Sequence, residues 1–219
     1  LSVNADEGMW LPHLLQTLNE KDMKECGLQL TAEDLYSVNN SSLKDAIVSF
    51  GGFCTGEMIS SKGLLLTNHH CGYEQIQEQS SVRNDYLKEG FWAMNLEEEL
   101  PNEGLFVSFL VSIENVTDRV LEELGDVSQS ERNNKLRMIF STIVSDSTEG
   151  TDYSGRVKSF FGGNEFYLMK YITYNDVRLV GAPPSSIGKY GGDTDNWMWP
   201  RHTGDFALFR VYSAPDGSP

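Results

Sequence analysis

Basic residues are scarce in this chain. Seventeen lysines and arginines face 32 aspartates and glutamates over 219 residues, a formal charge of −15 with a sequence pI near 4.6. Nucleic-acid binding rests on a basic face that neutralises phosphates and releases counterions, and docking on anionic lipid rests on a polybasic segment. This balance argues against both. Long apolar runs are missing too. None approaches the roughly 20 residues that span a bilayer as a helix, so no membrane insertion is expected. Cysteine is sparse, three in all. Cys54 and Cys71 lie 17 apart in an apolar, strand-like region, and Cys26 stands alone near the end of an expected helix. By count alone, three buried thiols remain open as an alternative to any bridge. His69, His70 and Cys71 sit together, but no second Cys/His cluster completes four ligands, so neither a metal nor another cofactor is expected.

What is present suffices for a core. Hydrophobic residues make up 39% and aromatics 11%, which fits one large globular domain or two small ones. The opening residues Leu1-Ser2-Val3-Asn4-Ala5 place small residues at −3 and −1 of a signal-peptidase cut before Asp6, so they read as the stub of an export signal or a cloning scar. Export brings an oxidising compartment. There a Cys54–Cys71 bridge is expected, with Cys26 as the odd thiol.

The texture divides near Ala46. Residues 1–45 read as an N-terminal helical segment. An amphipathic helix runs from Leu11 to Cys26, with Pro12 in its first turn and Gly27 as its stop, and Thr31 with Asp34 forms a capping box for a second, short helix. Residues 46–219 are β-rich. Ala46–Phe50, Phe53–Ile59 and Gly63–Thr67 are short β-prone runs broken by Gly51-Gly52 and Ser60–Gly63. Gln75–Glu89 reads as a polar loop with some helix, and Leu105–Ile113 as a strand. Ser128–Ser145 is the clearest helix, with Leu136, Ile139, Phe140, Ile143 and Val144 at helical spacing. Strands return at Glu165–Thr173, Val177–Val180 and Phe206–Tyr212. The fold class is mainly β with helical decoration, which suits a small barrel better than a doubly wound sheet.

Two segments carry potential chemistry. In Gly63–Tyr73 an apolar strand delivers His69-His70-Cys71 at its end, and Cys54 sits one hairpin earlier, where it could staple that strand end. A general base needs such a fixed backbone, because a misplacement of about 1 Å can cost 100-fold. Structural histidines in a turn fit this segment equally when it is read alone. The second segment, Ile187–Phe206, packs three aspartates, Asn196, Trp197 and His202 among glycines before a strand. An acid at that strand's start could orient an imidazole. A self-packed loop with turn-capping carboxylates is the competing reading.

Taken together, these segments resemble the S46 family of bacterial serine exopeptidases, the dipeptidyl-peptidases of types 7 and 11. The likeness covers nearly the whole chain: Asp6-Glu7-Gly8-Met9-Trp10, Thr67–Tyr73, Glu99-Leu100-Pro101, Ala182-Pro183-Pro184-Ser185-Ser186 and the long Gly191–Asp205 run. The resemblance implies a chymotrypsin-like double β-barrel with a Ser-His-Asp triad. It implies release of dipeptides from oligopeptides with a free N-terminus, in the periplasm or at the cell surface of Gram-negative bacteria, by an enzyme that is commonly a homodimer. Carried over by position, the general base falls on His70, with His69 as runner-up. The orienting acid falls on Asp205, and Asn196 and Trp197 fall on positions that hold the substrate's N-terminal end.

One departure is large. The triad order is His, Asp, Ser, and only 14 residues follow Asp205, with Ser213 and Ser218 the sole later serines. Neither lies in the Gly-rich context of such a nucleophile. The expectation is therefore an amino-terminal portion: the first barrel with its linker, without the second barrel and helical insertion, and inactive alone. A non-catalytic module that binds peptide N-termini is the alternative. A structural or adhesive surface protein is a third, and it leaves the Gly191–Asp205 run chemically unexplained.

Overall fold

A computed structural model describes residues 12–37, 40–188, 203–214 and 217–219. By internal packing the chain divides into Leu1–Ala46 and Ile47–Pro219.

In the first unit the expected long helix is broken. A 3-10 turn at Pro12–Leu14 leads into α1 (Leu15–Leu18) and α2 (Glu20–Glu25), which meet at Asn19. Asn19 leaves helical geometry at φ −127°, and its side chain makes no capping bond to α2. The stop is as expected. Gly27 N–H donates to the Lys24 carbonyl and Leu28 N–H to that of Met23, the paired bonds of a Schellman ending. Cys26 beside it is exposed, not a buried thiol. In α3 (Ala32–Leu35) the Thr31 hydroxyl accepts from Asp34 N–H, while the Asp34 carboxylate accepts from Thr31 N–H at 2.8 Å. The Thr31 hydroxyl also donates to the Asp34 carboxylate at 2.7 Å, and that bond, then the one from Thr31 N–H, holds the Asp34 carboxyl below the usual carboxylate range.

Among the described residues, the second unit has ten antiparallel strands: β1 (Ile47–Phe50), β2 (Cys54–Met58), β3 (Leu64–Thr67), β4 (Phe91–Trp92), β5 (Leu100–Pro101), β6 (Val107–Asn115), β7 (Ser154–Phe160), β8 (Glu165–Tyr174), β9 (Asp176–Ala182) and β10 (Ala207–Tyr212). They pair in the order β4-β9-β10-β3-β2-β1-β6-β8-β7, with β5 also on β9. Helices fill the connections: α4 (Tyr73–Gln79), α5 (Tyr86–Glu89), α6 (Thr117–Leu124), α7 (Gln129–Thr148) and α8 (Ser185–Gly188).

Alternating residues of β1, β3, β6, β9 and β10 point into one core that includes Phe50, Leu65, Val107, Leu179, Phe209 and Val211. β6 and β9 are distant along the pairing order yet share this interior, so the sheet curls. Register shifts at Leu110/Ser112 in β6 and at Leu208/Phe209 in β10 fit that curvature. The β2–β3 hairpin needs a glycine at its end. Gly63 has φ +70°, and a Cβ there would lie 2.3 Å from the Val211 carbonyl oxygen.

A second core lies farther out, where α6 and α7 pack on β7 and β8 through Val120, Leu124, Ile139, Ile143, Phe166 and Leu168. Helix α7 extends the expected Ser128–Ser145 helix by three residues. Five elements have no counterpart in the sequence reading: the short β4, β5 and α8, and the longer β7 and α6. β7 is an edge strand with only Val157 buried, so its side chains carry no period-two pattern. Helix α6 buries only Val120 and Leu124.

Candidate active site

Strand β3 ends at Thr67, whose buried hydroxyl donates to the Thr55 carbonyl at 2.7 Å and fixes the strand end on β2. The chain then turns through Asn68-His69-His70-Cys71-Gly72, and both Cys71 and Gly72 N–H donate to the Asn68 carbonyl. Helix α4 starts at Tyr73. Cys71 is bridged to Cys54 at the start of β2, with Cα atoms 6.1 Å apart. The turn is thus pinned at both ends.

Register explains what faces it. β10 pairs with β3 so that Ala207 lies opposite Thr67. Asp205, two residues before Ala207, therefore meets the residues just after Thr67, although 135 positions separate it from His70. The Asp205 Oδ2 lies 2.7 Å from His70 Nδ1, and its Oδ1 accepts from the His70 backbone N–H at 3.1 Å. Asn68 Nδ2 donates to the Asp205 carbonyl oxygen at 3.1 Å. One carboxylate thus holds both the backbone and the ring of His70. With Asp205 ionised, Nδ1 carries the ring proton and the basic lone pair sits on Nε2. The His70 side chain is 44% exposed and that of Asp205 18%, so the imidazole is anchored through Nδ1 and remains partly exposed.

The histidine doublet divides by burial. His69 is fully buried, with its ring centroid 6.4 Å from that of Tyr73. Asn196 and Trp197 lie outside the described residues. Just beyond that stretch, the Ile187 carbonyl accepts from Gly204 N–H at 2.8 Å and from the Thr203 hydroxyl at 2.9 Å. This joins α8 to the approach to β10. Phe206, next to Asp205, lies 6.0 Å from the half-exposed Trp92 ring.

A second polar cluster was not legible in the sequence as a cluster, although Glu99 falls in a stretch that carries the family resemblance. Glu99 is 5% exposed. It accepts from Arg210 Nε at 2.8 Å and from the Tyr212 hydroxyl at 2.7 Å, and Arg178 lies 3.8 Å above the Tyr212 ring. Burial, then the Glu99 hydrogen bond, pushes the Tyr212 phenol up to about 12. This cluster fastens the segment before β5 to β10 and touches neither His70 nor Asp205.

Among the described residues, no group of three or more His, Cys, Asp or Glu could hold a metal ion, and no helix is long and apolar enough to cross a membrane. A hollow of about 530 Å³ between α7 and the β7–β8 turn is lined by Arg132, Leu136, Phe140 and Phe166, not by the His70–Asp205 pair.

The family model Peptidase S46 matches residues 5–219. An Asp/Glu-specific dipeptidyl-peptidase of Flavobacterium psychrophilum is 52% identical over 213 residues, 97% of this chain and 30% of that protein. A dipeptidyl-peptidase 7 of Capnocytophaga gingivalis is 51% identical over 99% of this chain and 30% of its own length. The crystal structure of Porphyromonas endodontalis DPP11 in complex with substrate superposes with a TM-score of 0.85 at 49% identity, covering 98% of this chain and 32% of that one. The chain therefore spans about 30% of the length of the curated relatives it matches.

Proposed function

Because the chain belongs to the peptidase S46 family, we propose that it supplies the general base and its orienting acid to a serine dipeptidyl-peptidase whose nucleophilic serine lies outside these 219 residues. The observation that carries this reading is the 2.7 Å contact between His70 Nδ1 and Asp205 Oδ2, made by a carboxylate that also grips the His70 backbone.

In the mechanism, a serine hydroxyl attacks the carbonyl carbon of the second residue of a peptide. His70 Nε2 takes the hydroxyl proton, and Asp205 stabilises the imidazolium that forms and keeps the ring in the right tautomer. His70 then returns the proton to the leaving amine, and a water molecule repeats the cycle on the acyl-enzyme. Asn196 and Trp197 hold the substrate's free ammonium group, which limits the product to a dipeptide. The curled sheet is the first barrel of a chymotrypsin-like pair. The Cys54–Cys71 bridge supports an oxidising compartment, the periplasm or cell surface of a Gram-negative bacterium. The substrates are oligopeptides, and the full-length enzyme is a homodimer.

The test uses the full-length protein, as wild type, His70→Ala and Asp205→Asn, with dipeptidyl reporter substrates carrying free or acylated N-termini and acidic or aliphatic second residues. Cleavage of the free-amine substrates alone is expected, with kcat lowered about 10⁴-fold in either variant. Equal cleavage of acylated substrates removes the role given to Asn196 and Trp197. No cleavage by folded full-length protein replaces the enzyme with a binding module. The 219-residue chain alone is expected to give no turnover above a mock preparation.

A further inference from the structure

Gly188 closes α8, and its backbone is not in the left-handed region, so the conformation itself demands no glycine. The demand comes from a neighbour. A Cβ at position 188 would lie 2.3 Å from His69 Cδ2, 2.6 Å from Cγ and 2.9 Å from Nε2. Real Cβ atoms do not approach so closely, and a fully buried ring has nowhere to retreat in an interior packed like a crystal. The missing methyl is space occupied by the His69 imidazole.

The contact closes a circuit through the candidate site. His69 is joined covalently to His70. His70 is bonded through its ring and its backbone N–H to Asp205. Gly204, before Asp205, donates to the carbonyl of Ile187, which is followed by Gly188. Gly188 then abuts His69. Both partners of the proton-transfer pair are thus referenced to one short helix, His70 through His69 and Asp205 through Gly204. A displacement at position 188 must move one partner against the other, and proton transfer tolerates little of that.

The geometry points to His69 and Gly188 as positioning residues that set the His70–Asp205 contact. This rests on the reading of that pair as the catalytic base and acid.

The test is Gly188→Ala in the full-length enzyme, with kcat expressed per active site titrated by a serine-directed fluorophosphonate, and with and without His69→Ala. In the His69 background, kcat is expected to fall about 10- to 100-fold with KM within about twofold. With His69→Ala the added methyl has room, and Gly188→Ala is expected to cost less than about threefold. In the full-length enzyme, proton–nitrogen spectra of the imidazole rings are expected to show the His70 Nδ1–H signal displaced in Gly188→Ala. An unchanged kcat and ring spectrum in folded Gly188→Ala overturns the inference. So does an equal penalty with and without the His69 ring. Should His69→Ala not fold, the ring spectrum of the single variant decides. Full activity in His70→Ala would defeat the catalytic reading instead, and the ring spectra would still report whether position 188 controls the contact.

Discussion

At the scale of single residues, the molecule separates groups held for position from groups held for strength. His70 and Asp205 keep solvent access, whereas Glu99 surrenders it to two donors. That burial has a pH signature. A phenol raised from about 10 to about 12 binds its proton more tightly in the folded state, so its contribution is complete below about pH 10 and is lost as pH climbs to about 12. Urea midpoints of wild type and Tyr212→Phe are expected to differ by the equivalent of about 1–2 kcal/mol at neutral pH, from the lost hydrogen bond. The gap should shrink across that alkaline window, and a gap that widened there would contradict the assignment. The histidine doublet shows where sequence runs out at this scale. Residue identity alone gave two equal imidazoles and the family resemblance favoured His70; the register of β10 on β3 brings Asp205 to His70, while burial takes His69 inward.

At the scale of elements, what was legible had a local cause. The capping box at Thr31 and Asp34, the glycine stop after α2 and the apolar stripe of α7 were read correctly because each rests on residues within a turn or two of one another. The strands β1, β2 and β3 and the long β8 were legible from β-prone runs between glycine turns. β7 was not, because an edge strand with one buried side chain prints no alternation. Asn19 broke a helix that hydrophobic spacing alone had continued. The Cys54–Cys71 bridge was expected only on the condition of export. It closes a span of 17 positions, for which the chain-entropy argument gives about 3 kcal/mol. Reduction, or Cys54→Ser with Cys71→Ser, is expected to lower the unfolding free energy in urea by about that amount, read as a shift in midpoint. No shift would mean that the β2–β3 hairpin already restrains its own unfolded ensemble.

On the scale of the larger unit, two cores share one sheet. The inner core carries the candidate site, and the outer one holds α6 and α7 on the β7–β8 hairpin. Phe166 is 1% exposed in the outer core, and Phe166→Ala is expected to cost about 3–5 kcal/mol there. Amide hydrogen exchange should show faster exchange in α6, α7 and β7 while Leu65 and Phe209 keep their protection. A uniform loss of protection would mean that the cores open as one. β10 has a further consequence. Its neighbours, β3 and β9, are joined to it across very different lengths of chain, since β3 ends at Thr67 and β10 begins at Ala207. A strand that reaches so far back raises contact order and slows closure. Because the residues just before β10 also bring Asp205 to His70, the ribosome must deliver nearly all of this chain before the acid can meet its histidine. During synthesis the seam of the sheet and the pair beside it are completed together, and no shorter nascent chain possesses either.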